Sequence, residues 1–94
     1  MEEKKFIDGL NTAVFTTKFI LEKQTVILNV YHYAEDGAWE FTGKEDCVES
    51  DYKIVSLDEI IKIDDSVIEV SDLPFGYYAY RENYEDDWKI DKIK

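Results

Sequence analysis

The sequence has little cysteine, histidine, glycine and proline: one Cys, one His, four Gly and one Pro among 94 residues. Because Cys47 has no second thiol in the chain, an intramolecular disulfide is excluded, and a single thiol is more typical of a reducing compartment. We therefore expect a cytoplasmic location. The four glycines are scattered, which excludes a glycine-rich phosphate-binding loop.

Long apolar runs are also missing. No run exceeds four apolar residues, whereas a membrane-spanning helix needs ~20. Residues 1–5 contain no apolar stretch of the kind found in secretory signals, so we expect neither an export signal nor a membrane anchor. His32 is the only histidine, and one histidine with one cysteine cannot supply the four ligands of a structural zinc site. We expect no metal and no cofactor.

Basic side chains are outnumbered two to one. The chain has 22 acidic and 11 basic residues and a net charge of −11. Residues 35–72 hold 13 of the acids and only three of the bases, and so carry −10 of that charge. A protein that binds nucleic acid or an anionic membrane needs a basic surface, and this composition excludes both partners. A local acidic segment instead favours a basic protein as partner.

The amount of apolar material is sufficient for one domain over residues 1–94, since 45% of the residues are hydrophobic and 15% aromatic. Alternating apolar and polar residues predict strands over residues 12–21, 25–33 and 38–42. The polar break at residues 22–24 has hairpin length, and residues 34–37 have turn chemistry ending in Gly37. We therefore predict an N-terminal three-stranded meander.

The rest of the chain predicts short elements. Residues 43–52 are polar and indicate a loop, followed by a short strand at 53–55. Ser56 and Glu59 have the spacing of a capping box, which predicts a helix start, and a second short helix should cover residues 67–72. Aromatic-rich residues 77–81 and residues 86–90 complete the sheet. The predicted fold is α+β: a mainly antiparallel sheet of four to five strands with one or two short helices on one face.

Paired carboxylates are the first candidates for catalytic groups in this sequence. With so many acids, pairs such as Asp64 with Asp65 arise by chance, and we expect them to be solvated on turns. Cys47 lies among acids that raise a thiol pKa and reduce its reactivity. His32 lies in the apolar alternation of a strand, which favours a histidine packed in or beside the core. We therefore predict no catalytic residue.

Aromatic side chains carry the richer signal. Tyr77 and Tyr78 are adjacent in a predicted strand, so their side chains must point to opposite faces of the sheet. Both faces should therefore carry aromatic rings. One interpretation is ordinary core and cross-strand packing; the other is a protein-binding patch of Tyr and Trp surrounded by acids.

The order of several short segments resembles a family of small uncharacterised bacterial proteins and, more distantly, the immunity protein thirty-three type domain of unknown function. The segments are FTTKFILE (15–22), VYHY (30–33), DGAWEF (36–41), VSLDEII (55–61), DLPFG (72–76), AYRE (79–82) and Trp88. The resemblance covers roughly residues 13–90. It implies membership of that kind of domain and a role in neutralising a toxin, and it transfers no catalytic residue.

The leading hypothesis is a non-enzymatic protein whose acidic segment binds a basic partner such as a toxin. The predicted partner-binding residues are Glu35, Asp36, Glu45, Asp46, Glu49, Asp51 and Tyr52. A second hypothesis is a small-ligand or enzymatic domain with a Tyr- and Trp-lined pocket in which His32 acts as acid or base. A third is a homodimer formed through a sheet edge. The charge could also serve solubility alone.

Overall fold

A computed structural model describes residues 4–94, and residues 1–3, part of the region where we expect no export signal, lie outside it. Six strands in the described part form one mixed sheet in the order β4-β1-β3-β2-β5-β6. The strands are β1 Ala13–Thr17, β2 Asn29–His32, β3 Trp39–Thr42, β4 Tyr52–Ser56, β5 Tyr77–Tyr80 and β6 Lys89–Lys92. The α+β class is confirmed, and the predicted number of four to five strands is wrong by at least one.

The N-terminal meander is also wrong. β2 and β3 do form the predicted antiparallel hairpin, with Val30 opposite Phe41. However, β1 does not pair with β2. It lies between β3, to which it runs parallel, and β4, to which it runs antiparallel. The sequence reveals strand propensity but not which strands are neighbours, and here β3 lies between the two strands that adjoin in sequence.

The first predicted strand is shorter than expected because Thr17 begins a helical turn. The Thr17 hydroxyl accepts a hydrogen bond from the Ile20 amide at 3.4 Å, and α1 spans Lys18–Leu21. The buried side of this turn is Ile20, which is fully enclosed in the core. After α1, Lys23 adopts a positive φ of 59° and the Gln24 amide donates to the Phe19 carbonyl oxygen at 2.9 Å, so residues 22–24 end the helical turn and do not form a hairpin. The chain re-enters the sheet only at Asn29.

One face of the sheet is covered by helices. α2 spans Leu57–Ile63, and the Ser56 hydroxyl accepts from the Glu59 amide at 3.2 Å, which confirms the predicted helix start. A 3₁₀ helix over Asp65–Val70 follows, two residues earlier than predicted. Both contribute to a core that also contains sheet residues from the same face: Leu57, Ile60, Val67 and Val70 with Val14, Val30, Trp39, Phe41 and Ala79. Another 3₁₀ turn, Glu49–Asp51, lies inside the predicted loop.

A buried ion pair ties the end of β5 to the helices. The Arg81 guanidinium lies 3.0 Å from the Asp64 carboxylate, with the two side chains only 2% and 6% exposed. Arg81 also donates two hydrogen bonds to the Ile27 carbonyl oxygen and lies 3.9 Å from the Trp88 ring. The expectation that Asp64 is solvated is therefore wrong, because a partner 17 residues away neutralises it. Asp65 is exposed, as predicted.

No helix among residues 4–94 is long and apolar enough to cross a membrane.

Candidate functional site

The sheet face opposite the helices is not covered by them, and we call it the tyrosine face. Alternation along each strand places one row of side chains on it, and the strand register aligns that row across five neighbouring strands. In spatial order the row consists of Ile54, Phe15, Glu40, Tyr31 and Tyr78. Phe15 and Tyr52 remain 37% and 38% exposed. A two-layer protein thus leaves one aromatic surface available to a partner.

Four tyrosine rings form a ladder on this face. Tyr31 and Tyr33, two residues apart, stack with centroids 5.8 Å apart. Tyr31 also stacks across the strands on Tyr78 at 5.3 Å, and Tyr78 stacks on Tyr80 at 5.4 Å. Ring–ring contacts of this kind fix the orientation of large, amphipathic side chains. The ladder therefore makes the tyrosine face a preorganised surface.

A groove of about 410 Å³ opens at one side of the tyrosine face, and we call it the acidic groove. It extends from the start of β4, across β1 and β3, to the turn between β2 and β3. Its lining comprises three aromatic side chains, four acidic side chains and one alanine: Phe15, Tyr33, Tyr52, Glu35, Asp36, Glu40, Glu49 and Ala38. No basic side chain from residues 4–94 lines it. The combination suits a ligand that is cationic and has apolar carbon next to its charge.

Glu40 is at the electrostatic centre of the groove. Burial raises the pKa of its carboxyl, and the Tyr33 hydroxyl beside it partly opposes that change. Burial, and then the charge of Glu40, raise the pKa of the phenols of Tyr31, Tyr33 and Tyr52. One half-buried carboxylate is thus close enough to influence three rings, and no basic side chain of residues 4–94 forms an ion pair with it.

The structure brings together four of the seven predicted partner-binding residues: Glu35, Asp36, Glu49 and Tyr52 all line the acidic groove. The turn that holds Asp36 is well defined, because its carboxylate accepts from the Ala38 amide at 3.0 Å and Gly37 takes a positive φ of 74°. This confirms the turn that the sequence predicts at residues 34–37.

The other three predicted residues do not line the groove. Asp51 is buried: its carboxylate accepts from the Val48 amide at 2.9 Å and pairs with Lys18 at 3.4 Å. The Val48 hydrogen bond and then Lys18 hold the Asp51 pKa below its usual range. Asp51 therefore shapes the loop that carries Glu49 and Tyr52. Asp46 is exposed, and one carboxylate oxygen of Glu45 is buried without a hydrogen-bond partner among the described residues.

Two further predictions concern single side chains. Cys47 has a raised pKa, caused by burial and then by Asp51, Glu45 and Asp46, in agreement with the expected low reactivity. His32 is 92% buried and stacks on Trp39 with ring centroids 3.8 Å apart. Its position beside the core is therefore confirmed.

Sequence reasoning missed Phe15, Tyr33 and Glu40. A signal for Glu40 was present: Trp39 and Phe41 flank it, so alternation directs its carboxylate away from the core they enter. What was missing is that β1 pairs with β3, which sets Phe15 directly opposite Glu40. Without that register, nothing in the sequence places the two side chains in one groove.

Comparison of the chain with protein-family models, with curated proteins and with solved structures finds no match. The resemblance to immunity-type domains therefore stays a prediction.

Proposed function

We propose that the protein is a non-enzymatic binding module that captures a basic protein through the acidic groove. The observation that carries this proposal is the composition of the groove, in which three aromatic rings and four carboxylates converge and no base among the described residues takes part. Lysine and arginine side chains combine an apolar stem with a terminal charge, and such groups bind over aromatic rings and beside carboxylates.

The two kinds of side chain have different effects. The carboxylates at the rim attract a cationic protein over a distance and raise its association rate. The rings of Phe15, Tyr33 and Tyr52 contact the stem once it has entered and slow its release. Glu40, at the bottom, is already partly desolvated, so a cation that reaches it meets a carboxylate with fewer waters to remove.

The finer form of the proposal is an immunity-type protein in the cytoplasm whose partner is a basic toxin. Its support is the resemblance of the segment order to immunity-type domains and the presence of a single thiol. Toxins that cleave nucleic acid need a basic substrate surface, and an acidic module complements such a surface.

The test uses two heptapeptides with the same sequence, one containing two lysines separated by phenylalanine and the other with both lysines Nε-acetylated. Each is labelled with fluorescein and titrated with the protein while anisotropy is recorded. We expect the free lysine peptide to bind and the acetylated peptide to bind at least tenfold more weakly. Raising the salt from ~0.05 to ~0.5 M should weaken the binding, because the Debye length falls from ~14 to ~4 Å.

Charge-matched variants locate the site. Glu35→Gln, Asp36→Asn and Glu49→Gln together remove three charges from the groove, whereas Glu82→Gln, Glu85→Gln and Asp87→Asn remove three exposed charges elsewhere. The groove variant should bind the lysine peptide roughly tenfold more weakly than the control variant. Tyr52→Leu should likewise weaken binding, and Tyr80→Leu, outside the groove, should not. Equal losses of affinity in the groove and control variants would refute the proposal. Binding would then depend on the net charge of the protein and not on the position of the acidic side chains.

A further inference from the structure

A second concavity, which shares no residue with the acidic groove, surrounds the exposed edge of His32. We call it the His32 cleft; its volume is about 360 Å³, within the ~300–1,000 Å³ typical of small-ligand sites. Ile7 and Phe75 both line it and are 99% and 66% exposed, so the cleft presents apolar surface to a ligand. Trp39, Ser71 and Leu73 also line the cleft.

The hydrogen bond of His32 fixes which ring nitrogen is available. Nδ1 lies 2.7 Å from the Leu73 carbonyl oxygen, and since a carbonyl only accepts, Nδ1 must carry the hydrogen. In the neutral ring Nε2 then has a free lone pair, and no group of residues 4–94 is hydrogen-bonded to it. Trp39 stacked at 3.8 Å and Phe75 at 4.6 Å hold the ring in this orientation.

Ser71 supplies a second polar group on the wall of the cleft. It is 94% buried, and its hydroxyl has no hydrogen-bond partner among the described residues. Buried hydroxyls are almost always paired, so a rotation about the Cα–Cβ bond that turns this one toward the cleft would give it a ligand atom as its partner. The cleft therefore combines an acceptor at Nε2, a hydroxyl that can donate or accept, and aromatic walls.

We infer that the His32 cleft binds a small, planar, uncharged heteroaromatic molecule that has both an N–H donor and a ring-nitrogen acceptor. The N–H would donate to His32 Nε2, and the acceptor would receive the Ser71 hydroxyl. Aromatic faces would pack against Phe75 and Ile7. Anionic ligands are disfavoured, because Asp8 and Asp72 also line the cleft. This site is independent of the acidic groove and does not rest on the function proposed for it.

The experiment uses the fact that His32 is the only histidine, so its ring nitrogens give unambiguous ¹⁵N resonances. The full chain at ~pH 8 should show the Nδ1–H tautomer. Addition of benzimidazole should shift the Nε2 resonance upfield, with a Kd of about 1 mM or tighter. 1-Methylbenzimidazole, which has the same rings but no N–H, should bind at least fivefold more weakly. An Nε2–H tautomer in the free protein, or equal binding of the two probes, would overturn the inference.

Ser71→Ala provides the matched variant, because it removes only a hydroxyl that has no hydrogen-bond partner within residues 4–94 and should leave the fold intact, whereas replacing His32 also removes core packing. It should weaken benzimidazole binding by ~fivefold, the effect of one hydrogen bond. Ser50→Ala, at an exposed serine outside the cleft, should have no effect. Absence of binding at 10 mM benzimidazole, or shifts confined to residues outside the cleft, would reject the site.

Discussion

Replacing Arg81 by methionine should destabilise the fold more than any surface change. The substitution keeps an apolar stem of similar length but leaves Asp64, 6% exposed, as a buried carboxylate without its cation. It also removes the two hydrogen bonds to the Ile27 carbonyl and the contact with the Trp88 ring. Loss of one member of a buried pair costs ~3–5 kcal/mol, a large share of the ~5–14 kcal/mol expected for a chain of this length.

The loss is large enough to measure in two ways. Urea unfolding followed by circular dichroism should give the lower free energy of unfolding directly. The melting temperature should fall by roughly 12–40 °C, since 1 kcal/mol corresponds to ~4–8 °C in a domain of this size. Lys62→Met is the matched control, because the Lys62–Asp58 bridge is also short, at 2.9 Å, but its lysine side chain is 75% exposed. That control should cost no more than ~0.5 kcal/mol.

One result for these two variants would contradict the prediction. If Arg81→Met costs no more than Lys62→Met, burial of the pair contributes nothing and the reasoning is wrong. The double variant Asp64→Asn with Arg81→Met adds a second test, since removal of both charges should cost less than the two single losses summed. Additive losses would show that the two side chains are not coupled.

Two further predictions concern the groove and its turn. Glu40→Gln should stabilise the protein at neutral pH, because burial raises the pKa of the Glu40 carboxyl and thus penalises its charged form in the folded state. Stability of the wild type relative to the variant should therefore decline as pH rises above about 4.5, the ordinary pKa of a Glu carboxyl; a constant difference across urea titrations would contradict this. The same variant should bind the lysine peptide more weakly, so a gain in stability would accompany a loss of binding. Gly37→Ala should cost ~1–2 kcal/mol in urea unfolding, because Gly37 has a φ of 74° that a Cβ disfavours, whereas Gly9→Ala, in an exposed segment with no positive φ, should cost less.

The sequence predicted what local chemistry determines. Ser56 and Glu59 located the start of α2, and Gly37 located a turn, because caps and turns depend on residues a few positions apart. The sequence did not predict that β1 ends at Thr17 and that α1 follows it. A threonine in an alternating pattern is typical of a strand, but it is also typical of a helix cap. Tertiary contacts favour the helix cap, because α1 buries the Ile20 side chain in the core.

The site was predicted in part for the same reason. Glu35 and Asp36 lie on a turn that the sequence predicted. Glu49 precedes β4 and Tyr52 begins it, one residue before the predicted start of that strand. Their convergence needed β1 to be placed between β3 and β4, which no local pattern specifies. Asp51 and Asp64 looked like their acidic neighbours in sequence, yet Lys18 and Arg81 give them internal partners. Sequence reasoning therefore took Asp51 and Asp64 to be available to solvent or a partner, whereas the fold pairs both carboxylates internally.

The position of β1 has a consequence for synthesis on the ribosome. Of the six described strands β1 is synthesised before the others, but its two neighbours in the sheet are the third and fourth of them. Its last residue, Thr17, pairs with Tyr52, and Ala13 pairs with Ser56. At ~5–20 residues per second, β1 waits roughly 2–8 s for β4 to be synthesised. The hairpin of β2 and β3 can close during that time. One edge of nascent β1 can pair with β3 once Thr42 has been made, but the other edge stays unpaired until β4 follows, and that open edge can meanwhile pair with another chain.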